Sequence, residues 1–452
     1  MVQILPLNGL TFNREKINDI SKVLAPPYDI ISNEQKDNLK KSSPYNVVNL
    51  TLPDDTENKN KYKNAAEILN TWIDRGILEF DARHCFYLIE ESFLEKGKRE
   101  SFIGFIGLLR IEDYKKGKVL RHEKTLPKPK EDRLNLLKTC RTNFEFIYTI
   151  YNDDDKSVYE VLKSTTKNNP VISTSVDYDK SLSFNFWKIS DKNTILKITD
   201  LMKPKTILIA DGHHRYETSR LYRELIKAKE RLKETAKKIN KTSLQKDGFK
   251  PEDYILALFV AGNQKDIIIH PTHRAVKFNK LFLPEEFMPI INKYFKLENL
   301  ENPSEYLISK KMHGSSLINK KSLVIYLNER QCYFITLKFN IKDIYKNLGI
   351  LDKDFNEDFE NLDVNLLHKF LLGKLLDYLE IKDIKFVHTI KDLLKIINRD
   401  GKNGCYDAGF ILNAPSIETV EKLSSIGLIM PQKSTYFYPK PCSGLVMYKL
   451  DR

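Results

Sequence analysis

Between residues 207 and 226 a short apolar run stops at an Asp-Gly pair and restarts at once with helical spacing. Few local structures satisfy that pattern. Ile207, Leu208, Ile209 and Ala210 predict a buried strand, Asp211-Gly212 predicts the break, and Tyr216, Leu221, Leu225 and Ile226 share related faces of a following helix. A strand that feeds straight into a helix is a building unit of mixed α/β proteins. The same alternation runs along the chain. Ser32 with Gln35 predicts a capping box opening a short helix, and Ala65, Ala66, Ile68, Leu69, Trp72 and Ile73 predict a helix stopped by Gly76. Strands are expected at 84–89, 102–111, 144–151, 254–261, 267–270, 322–327 and 331–338, with helices near 130–140 and 364–380. A polar insertion is expected from Glu230 to Asp253, and Gly404 and Gly409 read as turn or strand residues. The fold class is therefore α/β in the mixed α+β sense. Its expected division is an N-terminal α/β region over 1–120, a core over 121–285 and a C-terminal α/β region over 286–452.

Composition narrows the function classes. At 452 residues, with 41% hydrophobic and 30% charged, the chain can bury more than one core. No apolar run approaches the roughly 18 residues that cross a bilayer, and the N-terminus lacks the marks of a signal peptide, so no membrane partner and a cytoplasmic location are expected. Cys85, Cys140, Cys332, Cys405 and Cys442 are scattered without metal-ligand spacing, which suits a reducing compartment. The net charge of +13 is spread along the chain, and its densest run, Lys227 to Lys250, reads as a solvated face. No zinc finger, aromatic RNP strand or basic zipper accompanies it, so no nucleic-acid partner is expected. Oligomeric state is unknown from the sequence.

The strongest chemical signal is Asp211-Gly212-His213-His214-Arg215 at the strand-to-helix junction. Helix N-termini attract anions through free N–H groups and the helix dipole. Gly212 admits close backbone approach, Arg215 can grip two oxygens, His213 and His214 can donate hydrogen bonds, and Asp211 could hold a Mg²⁺ ion. There is no Walker loop and no Rossmann fingerprint, so any phosphate is bound by other means. A second cluster, Arg121-His122-Glu123-Lys124-Thr125, places a carboxylate among cations, one way to prepare a base. A third, His270-Pro271-Thr272-His273-Arg274, ends a strand with polar groups. Pro26-Pro27-Tyr28-Asp29, Cys140-Arg141-Thr142-Asn143 and Lys433-Ser434-Thr435-Tyr436-Phe437 are also too polar and specific for plain packing.

Taken together, ADGHHRYETS, APPYD, RHEKT, TCRTN, PTHR and KSTYFYPKPCSGLV resemble a family long known only as a domain of unknown function, related to free-serine kinases and to the ParB/sulfiredoxin superfamily. The resemblance spans Pro26 to Gly444 and is greatest to pyrophosphate-dependent serine kinases. It implies a ParB/sulfiredoxin-like catalytic core and the reaction of pyrophosphate with L-serine to give phosphate and O-phospho-L-serine, with Mg²⁺. It implies Glu123 as general base and Asp211, Gly212, His213, His214 and Arg215 as the phosphate motif; His213 and His214 are further expected as catalytic groups and Arg141 as a phosphate contact. Tyr28, Thr272, His273, Arg274, Lys433, Ser434 and Thr435 are the expected substrate contacts. The lysine-rich insertion after Lys227 departs from shorter relatives. ATP or ADP as donor, a phosphoserine hydrolase and a ParB-like DNA-binding regulator remain the rival readings.

Overall fold

The apolar run at 207 forms the strand Ile207–Asp211, buried at four of its five positions. In this computed structural model, which describes residues 1–114, 117–125, 127–237, 249–318, 320–398 and 406–451, that strand belongs to a nine-stranded mixed sheet. It runs parallel to Val119–Leu120 on one side and antiparallel to Ile147–Tyr151 on the other. Beyond Ile147–Tyr151 come Tyr254–Ala261, Lys98–Arg110, Phe86–Glu95, Asp179–Ile189 and Ile172–Val176, with Ile4–Leu5 paired to Lys98–Arg110. Tyr254–Ala261 is an almost unbroken apolar run, buried from Ile255 onward. Such a run marks a strand covered on both faces. One face packs Phe86, Phe105, Ile147, Ile209 and Phe259 against Val158, Leu162, Ile198 and Met202 of the helices Ser157–Thr165 and Lys192–Met202.

The chain divides into two compact units, and the mixed α+β class holds in each. The first comprises Met1–Arg121, Thr125–Ile267 and Pro439–Arg452, and the second comprises His122–Lys124 and Ile268–Tyr438. Residues on both sides of position 120 build the nine-stranded sheet, so the division expected there falls inside one unit. The other division lies at 267 rather than 285, and the last residues return to the first unit. Within the second unit a six-stranded sheet runs Phe295–Asn299, Gln331–Leu337, Ser322–Asn328, Ala408–Ile411, His273–Phe278 and Ile381–Val387. Gly409 is a strand residue there. The strands Ile268–His270 and Tyr436–Tyr438 pair separately in the same unit.

Local signals set the element ends. Ser32 Oγ accepts from the Gln35 N–H at 3.1 Å to open Asn33–Ser42, and the helix Lys61–Asp74 ends before Gly76, whose φ is +64°. The helix that starts at His213 continues to Lys237, through the first part of the expected polar insertion. Its Glu, Lys and Arg residues are good helix formers, and polarity alone did not distinguish an exposed helix from a loop. Residues 238–248 of the lysine-rich stretch, Gly404 and Cys405 lie outside the described residues. Near 364–380 the expected helix is wound as a π-helix over Leu366–Leu375. Cys85, Cys140, Cys332 and Cys442 are buried and unlinked. Burial pushes the Cys85 thiol up to about 11 and the Cys332 thiol up to about 12, as befits packing residues. Among the described residues no helix is long and apolar enough to cross a membrane.

Glu91 lies mid-strand opposite Phe102 and is 4% exposed. Burial pushes its carboxyl from 4.5 up to about 8, so it is mostly protonated at neutral pH. A carboxyl raised in the folded state favours folding most below its ordinary value and loses that stability as pH climbs through the raised one. Glu91→Gln is therefore expected to match the parent near pH 4.5 and to exceed it by a few kcal/mol above pH 8. Urea midpoints across that range measure the difference, and parallel curves for the two proteins would contradict it.

Candidate functional site

Asp211 ends its strand, and the helix begins two residues later at His213. Gly212 makes the corner with φ +87°, and a Cβ there would lie 2.9 Å from Arg215 Nε. Only glycine lets the Arg215 side chain fold back over this turn. Arg215 donates from Nη2 to Asp211 Oδ2 at 2.7 Å and from Nη1 to the Phe146 carbonyl. Lys440, brought back by the C-terminal segment, donates to the other Asp211 oxygen, Oδ1. The Arg215 and Lys440 side chains are only 12% and 7% exposed. Burial pushes the Asp211 carboxyl up, but Lys440 and Arg215 outweigh it and hold the group far below the ordinary carboxylate range. His213 is buried and His214 half-buried at the start of the helix.

The N-terminal motif reaches the same neighbourhood. Tyr28 N–H donates to Glu145 Oε1 at 2.9 Å, and Ser443 Oγ donates to the same oxygen at 2.9 Å. The Arg133 guanidinium sits 4.2 Å from the centre of the Tyr28 ring. Burial disfavours the Arg215 cation, while Glu145 and then Asp211 restore it, so its charge is secure. Arg133 in turn donates to Asp132 Oδ2 from Nε at 2.9 Å and to the Thr51 carbonyl from Nη1 at 2.6 Å. Arg141 is placed differently. Its side chain is 49% exposed and pairs with Asp451 at 3.5 Å, so the structure does not bring it to the 211–215 turn.

The remaining expected residues gather in the second unit. His122 is fully buried, and its Nε2 lies 2.7 Å from Thr435 Oγ1. Its carbonyl accepts from Met430 N–H at 2.8 Å, and Glu123 bridges to Met430 as a short parallel pair. Arg274 is 1% exposed and donates in three directions: to His368 Nε2 at 3.1 Å, to the Thr272 carbonyl and to the Lys433 carbonyl at 2.9 Å. Burial lowers the Arg274 guanidinium to about 10, while the charge of Glu123 opposes that fall. Arg274 thus lies close enough to feel the charge of Glu123. The sequence neighbour of Glu123, Arg121, instead pairs with Glu217 at 3.2 Å. Burial, followed by the nearby charge of Arg274, drops His273 to about 3, so this ring is neutral, and its Nδ1 accepts from Leu412 N–H at 3.3 Å. Ser434 Oγ donates to the Pro431 carbonyl at 2.6 Å. Thr272 is 2% exposed, and its carbonyl accepts from Arg274.

Asp211 does not fit the expected role of a Mg²⁺ ligand. Both of its oxygens are taken by cations, and Mg²⁺ needs near-octahedral oxygen donors. Among the described residues no group of three His, Cys, Asp or Glu could hold a metal ion. Sequence reasoning singled out none of Arg133, Glu145, His368 and Lys440, although Lys440 lies within KSTYFYPKPCSGLV. Glu145 carried a visible signal, a lone charge between Phe144 and Phe146 in an apolar run. Arg133 and Lys440 look like any surface cation until the fold buries them.

A family model described as a protein of unknown function (DUF1015) matches residues 4–365. The chain belongs to this family. The DUF1015 match takes in Tyr28, Glu123, the 211–215 turn and Thr272–Arg274, and ends before Lys433–Thr435 and Lys440. Solved structures similar to this DUF1015 chain include a free serine kinase in complex with AMP, at 14% identity and TM-score 0.30, covering 71% of this chain and 83% of that one. A conserved hypothetical protein from Pyrococcus furiosus is similar at 11% identity and TM-score 0.30, covering 71% and 87%. SbnI with a C-terminal truncation, from Staphylococcus aureus, is similar at 8% identity and TM-score 0.33, covering 75% and 86%. No curated protein matches the chain.

Removing Asp211 strips the carboxylate from two buried cations, which typically costs about 3–5 kcal/mol. Asp211→Asn is expected to destabilise the protein on that scale, and adding Lys440→Met to recover a good part of the loss. Denaturant melts of the two single variants and the double variant test the coupling, and strictly additive losses would contradict it.

Proposed function

We propose that this DUF1015 protein is a phosphotransferase that moves a phosphoryl group from inorganic pyrophosphate to the hydroxyl of L-serine. The observation that carries the reading is the 211–215 turn, where a strand end, a helix start and two buried cations converge on one short segment. That environment favours the crowded negative charge of a phosphate and its transition state. The choice of serine and of pyrophosphate rests on the motif resemblance of the sequence.

In this reading the serine oxygen attacks phosphorus, the bridging P–O bond of pyrophosphate breaks, and inorganic phosphate leaves. Glu123 takes the hydroxyl proton. The nearby Arg274 cation favours the ionised form that a base requires. Arg215, His213 and His214 stabilise the phosphoryl oxygens. Mg²⁺ enters only as a companion of the donor, since Asp211 has both oxygens committed.

The deciding experiment offers the purified protein L-serine and Mg²⁺ with pyrophosphate, ADP or ATP in parallel, followed by phosphorus NMR. Phosphoserine is expected with pyrophosphate. Its formation with a nucleotide alone would transfer the reading to that donor, and its absence with all three would overturn it. Glu123→Gln is expected to lower kcat by about 100-fold or more with a smaller change in KM. Near-normal turnover would remove Glu123 from the base role. Arg215→Lys keeps the charge and loses the fork, so kcat/KM for the donor is expected to fall by about tenfold or more.

A further inference from the structure

Beside the helix that follows the turn, within the first unit, lies a cavity of about 50 Å³. It is lined by polar groups from four stretches of chain: Thr51, Arg133, Thr142 with Asn143 and Glu145, and Arg215 with Thr218 and Ser219. Every one of these side chains comes from a buried or nearly buried residue. Thr51 is fully buried and Arg133 is 7% exposed. Space for a water is about 10–15 Å³ on this measure, so the cavity admits several atoms beyond a single solvent molecule.

Most of its polar atoms are committed elsewhere. Thr142 Oγ1 donates to the Cys140 carbonyl, Asn143 Oδ1 accepts from Leu256 N–H, and Glu145 Oε1 accepts from Tyr28 and Ser443. Two are not. Thr51 Oγ1 and Arg215 Nε are buried and have no hydrogen-bond partner among the described residues. Leaving such groups unmet costs roughly 1–3 kcal/mol each, so an occupant that accepts from both is favoured. Both can donate, and one belongs to a cation. Arg133 adds a second guanidinium, whose bonds to Asp132 and the Thr51 carbonyl use only part of its fork of N–H donors.

We infer that Arg133, Arg215 and Thr51 Oγ1 form a buried seat for one oxyanion. Arg215 then serves two places, folding over the 211–215 turn and lining the cavity. The matching chemistry is a tetrahedral phosphate or the carboxylate of a small amino acid, and both are oxyanions of the size the cavity takes. If the kinase proposal holds, the seat orients one end of a substrate. The seat itself rests only on the cavity and its unmet donors, and it stands or falls without that proposal.

The test titrates the full-length protein with inorganic phosphate and, separately, with L-serine by calorimetry, comparing the parent with Thr51→Val and Arg133→Lys. Valine matches threonine in shape and removes an unmet hydroxyl, so Thr51→Val is expected to melt at or above the parent temperature. Its affinity for one of the two ligands is expected to fall by about tenfold, and Arg133→Lys to weaken the same ligand, which identifies the source of the oxyanion. Should the parent bind neither ligand, or Thr51→Val bind both as tightly as the parent, the seat is refuted. Phosphoserine assays on the same proteins separate the two proposals. A phosphate or serine site lost in Thr51→Val, in a parent that makes no phosphoserine, keeps the seat and removes the kinase. Full turnover in a Thr51→Val protein that binds both ligands as tightly as the parent does the reverse.

Discussion

Two buried cations share the carboxylate of Asp211, and the architecture around the turn follows from the need to keep that arrangement dry and paired. An ion pair taken out of water repays its desolvation only when geometry and further hydrogen bonds are good. Here Arg215 gains the Phe146 carbonyl as well as Asp211, and Lys440 closes the second oxygen. Gly212 is the local condition for this packing, since a side chain at that corner would strike the guanidinium. The C-terminal segment is therefore part of the site and not an appendage. It delivers Lys440 to Asp211 and Ser443 to Glu145, and it adds Tyr448–Lys449 against Thr142–Asn143.

The second unit uses one buried arginine in a comparable way. Arg274 ties its own strand to the π-helix through His368 and to the 431–435 segment through the Lys433 carbonyl. That staple fixes the stretch carrying Ser434 and Thr435, and Thr435 meets His122 beside Glu123. Neutral His368 and His273 suit this role, because burial has removed their tendency to take up protons. Arg274 of the PTHR motif thus holds other segments of this unit together. Arg274 itself stays buried while Glu123 is half-exposed.

Local physics was readable in the amino-acid order where it acts over a few residues. The Ser32 cap, the helix at 61–74, the strand at 254–261 and the strand-to-helix corner at 211–213 follow from periodicity, capping chemistry and glycine. The long helix through Lys237 was harder to read, because a fully polar helix face looks like a loop when only hydropathy is weighed. Arg141 shows the opposite failure. It sits in a motif with Thr142 and Asn143, yet its backbone takes φ +48° and its side chain turns to Asp451. Neighbours in sequence need not face the same way.

By itself, the order of residues determined the α/β alternation, the strand-to-helix corner at Asp211–His213 and the set of polar motifs worth inspecting, since each depends on contacts within a turn or two of chain. Tertiary structure decided which of those motifs meet. It paired Asp211 with Lys440 across more than two hundred residues, set Tyr28 against Arg133 and Glu145, and joined His122 to Thr435. It also chose which charges are buried. A lysine or arginine carries the same letter at the surface and in the interior, and only the surrounding packing strips its water and makes its partner matter.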